Sequence, residues 1–303
     1  MRLSARERAQ LIAAARLYYE DNLTQAEIAK RLGVSRPIVS KMLTRAREIG
    51  IVHIEIRGGD DQDSDVLEQL QRKYGLSGGL VLPNGKPLLE QAARYLALET
   101  AADKNLGLGW GYLAGDIVEK MSATKLHNQD GFIYPLIGHA HFNLNGYHPD
   151  QLVRRWGETM GRVPYYLNCP ALPDSVEQRD ALEATADYQV VQALWGQMDA
   201  SIIFLRNFPS VPDEGTATRF GDALQKQRAV GSFLSYYFNE RGEFISGNND
   251  YCLHIPLALL RRCRKIVGVG LNVSVKALRG ALATGLITHL VVSREQAQEL
   301  LGD

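Results

Sequence analysis

Apolar positions in the first fifty residues recur at helical spacing. Residues 5–20 place Leu11, Ile12, Ala15 and Tyr18 or Tyr19 on one face, which predicts a helix. Thr24-Gln25-Ala26-Glu27 has the form of a capping box and starts a second helix, whose apolar face continues through Ile28, Ala29 and Leu32. Gly33 supplies the tight turn. Ser35 is read as the cap of a third helix, with Pro37 in its first turn, Ile38, Val39, Met42 and Leu43 as its buried stripe, and Gly50 as its end. Ile51-Val52-His53-Ile54-Glu55-Ile56 then alternates at period two, as a half-buried strand or small wing does.

Beyond residue 58 the pattern changes. Gly58 to Asp65 is dominated by Gly and acidic residues and is read as a linker, dividing a head (residues 1–57) from a body (residues 66–303). In the body, amphipathic stretches near 65–74, 87–102, 113–121, 149–160, 187–196, 273–283 and 294–301 predict helices. Between them lie short apolar runs at 80–82, 106–110, 132–137, 165–167, 200–205, 265–269 and 289–292. Strands alternating with helices predict an α/β domain built on a mostly parallel sheet covered on both faces. Ligands of such sheets bind at the carboxyl ends of the strands.

Charge sharpens the division. Residues 1–57 hold 11 Lys and Arg against 6 Asp and Glu, and the remaining residues hold 23 against 28, so a neutral whole conceals a basic head. A basic head suits phosphate binding. No run approaches the ~20 apolar residues of a membrane span, and no apolar stretch follows Arg2, Arg6 and Arg8 to form a signal peptide, so a cytoplasmic protein is expected. Cys169, Cys252 and Cys263 lack metal or redox spacing and are expected as buried thiols; His139 and His141 are a close pair without a metal-site pattern.

The face of the third helix opposite its apolar stripe carries Arg36, Ser40, Lys41, Thr44, Arg45 and Arg47. Its N-terminal part is what a helix-turn-helix inserts into the major groove. Arg36 and Ser40, with Ser35 and Lys41, are expected at base edges, and Thr24, Gln25 and Arg45 at phosphates. In the body, the strand ends carry Trp110-Gly111-Tyr112, Gly138-His139, Asn207-Phe208 and Asn272-Val273-Ser274, where Gly backbone and polar side chains can meet a small polyol or anion. Glycine also simply ends strands, and four such loops on one edge are what favour a site. No Walker sequence or complete dinucleotide fingerprint is present, so no cofactor is expected. His139 is the only plausible general base near neutral pH in these loops.

The chain resembles the SorC family of sugar-responsive bacterial regulators. The resemblance rests on Leu17-Tyr18-Tyr19, on the run from Leu23 to Arg36, and on Val39-Ser-Lys-Met-Leu and Ala46-Arg-Glu-Ile-Gly-Ile-Val. In the body it rests on Gly109-Trp-Gly, Leu136-Ile-Gly, Cys169-Pro-Ala-Leu-Pro, Ala229-Val-Gly, Gly280-Ala-Leu and the closing run from Ser293. It implies a helix-turn-helix head, a Rossmann-like parallel-sheet body similar to sugar-phosphate isomerases and glucosamine-phosphate deaminases, sensing without catalysis, operator DNA and a small carbohydrate as partners, and tetramers. This chain has Tyr112 where many relatives place Thr, Ser232 where they place Asp, and Ser274 where Lys is frequent, with Lys276 two residues on. The expected effector site is therefore Trp110, Gly111, Tyr112, Gly138, His139, Asn207, Ser232, Asn272 and Ser274, and a neutral ligand is favoured over a doubly charged one. An isomerase- or deaminase-type enzyme and a DNA binder with a vestigial sensor are the alternatives.

Overall fold

A computed structural model of the chain describes residues 5–21, 23–49, 51–52, 61–83, 87–121, 131–139, 148–209 and 214–302. Its described residues divide into two compact units, a head up to Val52 and a body from Asp61.

The first unit is a head of three helices, α1 (Ala5–Tyr19), α2 (Gln25–Leu32) and α3 (Arg36–Glu48). The capping box forms: the Thr24 hydroxyl accepts the Glu27 N–H at 3.4 Å, and the Glu27 carboxylate accepts the Thr24 N–H at 2.8 Å. Gly33 ends α2 at φ 65°, a left-handed position that costs glycine nothing. Ala14, Ile28, Ala29, Val39 and Leu43 fill the centre, and a second cluster of Leu11, Ala15 and Ala46 is covered by Ile51 and Val52. Two positions read as buried are not: Ile12 is 36% and Ile38 46% exposed. On α3 the buried arc is Val39, Leu43 and Ala46 with Met42 beside it, and Ile38 lies one residue, about 100°, back from Val39. Ser35 holds the N-cap backbone position of α3, but its hydroxyl makes no capping hydrogen bond. Gly50 and residues 53–56 of the expected wing lie outside the described residues.

The second unit begins earlier than its composition suggests. Residues 61–65, read as linker, are the first turns of α4 (Asp61–Tyr74), where Asp63 accepts from Arg294 Nε at 2.6 Å. Acidic residues favour a helix N-terminus, so this composition marked a helix start rather than a flexible tether. The chain continues as β1 (Gly78–Leu82), α5 (Leu88–Glu99), β2 (Asn105–Leu108), α6 (Tyr112–Met121), β3 (Phe132–Pro135), α7 (Pro149–Met160) and β4 (Val163–Pro164). Next come α8 (Val176–Glu183), α9 (Ala186–Trp195), β5 (Ala200–Phe204), β6 (Arg206–Asn207), α10 (Glu214–Phe220), α11 (Ala223–Lys226), β7 (Ala229–Phe233), β8 (Tyr236–Asn239) and β9 (Phe244–Ile245). The last elements are α12 (Leu257–Leu260), β10 (Lys265–Val269), α13 (Val275–Ala283), β11 (His289–Ser293) and α14 (Arg294–Leu301).

Seven parallel strands form the main sheet in the order β1-β11-β10-β5-β2-β3-β4. Its central strand β5 is buried at every position, as a strand covered on both faces must be. The strand expected at 165–167 is displaced: β4 pairs Val163 and Pro164 with β3. The Leu167 N–H then turns to the Asp150 carboxylate at 3.0 Å, which ends the ladder. A smaller antiparallel sheet, β6-β7-β8-β9, has no counterpart in the sequence reading.

Candidate functional site

In the head, Arg36, Ser40, Lys41 and Arg45 are exposed on α3, and Ser35 is exposed at its start. Among the described residues, the side chains of Arg36, Ser40 and Lys41 enter no ion pair or hydrogen bond, which leaves their donors for an external acceptor. Thr24 is bonded within its own helix start. Its hydroxyl donates to Glu27 Oε2 at 2.7 Å while accepting the Glu27 N–H, and the bonds that Oε2 accepts from the Thr24 hydroxyl and the Thr24 N–H hold the Glu27 carboxyl below its ordinary range.

In the body the strand order creates a crevice. From β2 the chain runs to β3 on one side, whereas from β5 it runs, through the small sheet, to β10 on the other. Where neighbouring strands send their connections to opposite sides, the loops part and leave room for a ligand. The Gly109 N–H bonds the Ile202 carbonyl at 2.8 Å, joining the ends of β2 and β5 where this gap begins. A Cβ at Gly109 would stand 3.0 Å from that oxygen and 3.4 Å from Leu234 Cδ2. Gly111, at φ 134°, turns the chain into α6 with nothing near its missing Cβ. Trp110 is half-buried against the main core, and Tyr112 at the start of α6 is 57% exposed.

The loops after β5 and β10 are tied together. Asn207 Oδ1 accepts the Ser274 N–H at 2.8 Å, and Asn207 Nδ2 donates to the Asn272 carbonyl at 3.3 Å. Asn272 is left-handed at φ 63°, and the Ser274 hydroxyl accepts the Ala277 N–H to cap α13. Gln296 supports the same loop from below, donating to the carbonyls of Gly270 at 2.7 Å and Val273 at 2.8 Å. Asn207, Asn272 and Ser274 are thus brought together, with Asn207 holding the loop and Ser274 holding the helix.

Other expected residues lie on neighbouring elements. Ser232 lies in β7, paired with Arg206 on one side and Tyr237 on the other, and is only 4% exposed. Gly138 and His139 follow β3, two strands from β5. A Cβ on Gly138 would come within 2.7 Å of the backbone at Cys169, Pro170 and Ala171, so close packing of two chain segments explains this glycine. The His139 N–H and carbonyl bond that same segment, and its ring stacks on His148 at 4.7 Å. His141 lies outside the described residues.

Several residues at this edge were not among the expected ones. Arg206 opens β6, two residues past the end of β5, and Lys276 is exposed in the first turn of α13, so the segments that carry the polar loops also carry basic residues. Between β7 and β8, Leu234 and Ser235 are consecutive left-handed residues at φ 49° and 62°. The Leu234 carbonyl meets His254 Nδ1 at 2.6 Å, and the Ser235 carbonyl accepts from Arg219 Nη2 at 3.2 Å. Arg219 is anchored in turn by Asp250 at 2.8 Å. Burial pushes the His254 imidazole down to about 4, with the nearby Arg219 charge acting in the same direction. A ring that is neutral and bonded to a carbonyl acceptor carries its proton on Nδ1. No signal in sequence joins residues 234 and 254.

Cys169 and Cys263 are buried and Cys252 half-buried, all as free thiols; burial pushes Cys169 up to about 12. Among the described residues no three His, Cys, Asp or Glu gather as a metal site, and no helix is long and apolar enough to cross a membrane.

A helix-turn-helix head followed by a doubly wound α/β domain with its crevice at the carboxyl edge is the architecture of a DNA-binding transcriptional regulator. Residues 1–48 match the model of sigma-70 region 4, and residues 61–302 match the family described as "Putative sugar-binding domain". The chain is 26% identical to the sorbitol operon regulator of Klebsiella pneumoniae, covering 96% of this chain and 97% of that one. It is 29% identical to the deoxyribonucleoside regulator of Bacillus subtilis, over 98% and 99% of the two chains. The crystal structure of the full-length Klebsiella regulator SorC superposes with a TM-score of 0.71 at 26% identity, over 98% of this chain and 100% of that one. The chain belongs to this sugar-binding-domain family, the transcriptional regulators of the SorC type.

Proposed function

We propose that this regulator is a cytoplasmic, non-catalytic switch for a carbohydrate operon. Its head reads operator DNA and its body binds a small sugar or sugar derivative. The observation that carries the sensor half is the crevice between β2 and β5, with Gly111 and Tyr112 on one side and the Asn207–Asn272–Ser274 loop on the other. Backbone and side-chain hydrogen-bonding groups there suit a ligand rich in hydroxyls. The exposed Lys276 in the first turn of α13 leaves room for an acidic substituent as well, which widens the neutral-ligand expectation.

On this reading Ser35, Arg36, Ser40 and Lys41 face base edges, while Gln25, Arg45 and the amides beside Thr24 face phosphates. One head offers few base contacts, so the functional unit is a symmetric oligomer, a tetramer in the form the family resemblance implies, with heads paired on two half-sites. A ligand regulates this assembly only by binding one arrangement better than another.

The test is a thermal-shift screen of the full chain against sugars, hexitols, sugar acids and their phosphates, run beside turnover assays. A carbohydrate that raises the unfolding temperature and is recovered unchanged supports the reading. A carbohydrate that is converted would establish an enzyme, and none that binds would leave a DNA binder with an unresponsive body.

A further inference from the structure

Ile38 is an apolar side chain in a polar place. It is 46% exposed, yet the core of the head is already filled from α3 by Val39, Leu43 and Ala46. It is the third residue of α3, inside the turn that helix-turn-helix proteins present to base edges. Lys41 and Arg45 follow at three and seven residues and share its side of the helix; Arg36 and Ser40 flank the face from the other side. All four are exposed. An aliphatic group with two cations on its side of the helix, and with Arg36 and Ser40 at the far edge of the same exposed face, is matched to a polyanion that also offers a small apolar patch, and not to an apolar protein surface.

We infer that Ile38 packs against the C5-methyl group of a thymine in the major groove, so that the head reads one base pair by apolar contact. This rests on the reading of the head as the operator-binding element. Ile38 has no donor or acceptor, and among the groups that the four base pairs display in the major groove only the thymine methyl is apolar. A β-branched side chain in a helix is already held near one χ1 rotamer, so little freedom is lost when it docks. Arg36 and Ser40 would supply the hydrogen-bonding part of the same recognition.

The experiment selects binding sites for the full-length chain from randomised duplex DNA, then replaces each thymine of the selected site by deoxyuridine, which removes the methyl and nothing else. The expected result is one thymine, or its symmetry-related pair, at which the replacement weakens wild-type binding about fourfold per methyl. Ile38→Ala should bind the thymine and deoxyuridine duplexes equally, and Ile38→Val should keep part of the discrimination. Thermal unfolding of Ile38→Ala should match wild type, because the side chain contributes little to the core. If no deoxyuridine replacement weakens the wild type, or if Ile38→Ala shows the same loss at the same thymine, the methyl contact is wrong while operator binding stands. If the wild-type chain enriches no sequence at all, the operator-reading role falls, and this inference falls with it.

Discussion

The side-chain oxygen of Asn207, in β6 just after β5, accepts the backbone N–H of Ser274 at 2.8 Å, joining two segments that are 67 residues apart in sequence. Its amide nitrogen returns the contact to Asn272. One side chain thereby sets the spacing of the loops on the β10 side of the crevice. Asn207→Ala should remove both bonds, lower stability by ~1–2 kcal/mol, and weaken effector binding measured by calorimetry more than Ser232→Ala does. Equal affinity in Asn207→Ala and wild type would show that this loop does not shape the site.

The Leu234–Ser235 turn invites a contrast between two glycine substitutions. A left-handed residue with a Cβ costs ~1 kcal/mol, so Ser235→Gly should raise stability by up to ~1 kcal/mol, partly offset by the freedom glycine gains in the unfolded chain. Leu234→Gly relieves the same strain but removes a side chain that is 4% exposed, and should be destabilising by ~2–4 kcal/mol. Chemical denaturation of the two variants distinguishes them by sign.

His254 sets a pH dependence. Its folded value lies near 4, below the ordinary imidazole value, so the unfolded chain takes up a proton across that interval while the folded chain does not. Stability should therefore fall as pH is lowered from about 6.5 towards 4, by roughly 3 kcal/mol at most from this group. His289, whose value burial also lowers beside Glu99, Lys265 and Asp103, acts in the same sense. Denaturation midpoints of His254→Gln across this range should show a shallower slope than wild type; an unchanged slope would assign the acid sensitivity elsewhere.

Much of this was legible in the chain because it is local. The Thr24–Glu27 box lies within one turn, and the apolar runs at 200–205, 265–269 and 289–292 coincide with strands buried on both faces. What escaped depends on distant partners or on atypical turn chemistry. The β7–β8 hairpin turns on Leu-Ser instead of the Asn-Gly or Asp-Gly that announce two-residue hairpins, so the small sheet left no punctuation. Gly138 is closely approached by residues 169–171, a partner that spacing cannot reveal. Ile38 was assigned to the apolar stripe because it adjoins Val39, although one residue on a helix turns a side chain by about 100°. The acidic run at 61–65 resembled a tether because its partner, Arg294, lies at the other end of the chain.

In the head, Arg36→Ala should cost ~1–3 kcal/mol and relax preference at one base pair. Arg45→Ala should weaken all sequences alike and reduce the salt dependence of binding by about one phosphate contact. Competition binding to a selected site and to random duplex at several salt concentrations separates the two. If Arg36→Ala keeps full sequence preference, a different face of the head enters the groove.

The most direct test of the account as a whole measures the affinity of the full-length chain for its selected operator while carbohydrates from the screen are added one at a time. The expected result is a sequence-specific complex whose Kd shifts at least fivefold with one carbohydrate and is restored when the sugar is dialysed away, the size expected of an allosteric coupling. That carbohydrate should also bind more tightly, or more weakly, by the same factor when operator is present. A carbohydrate that binds the body but leaves the operator Kd unmoved at saturation would contradict the claim that this crevice controls the head.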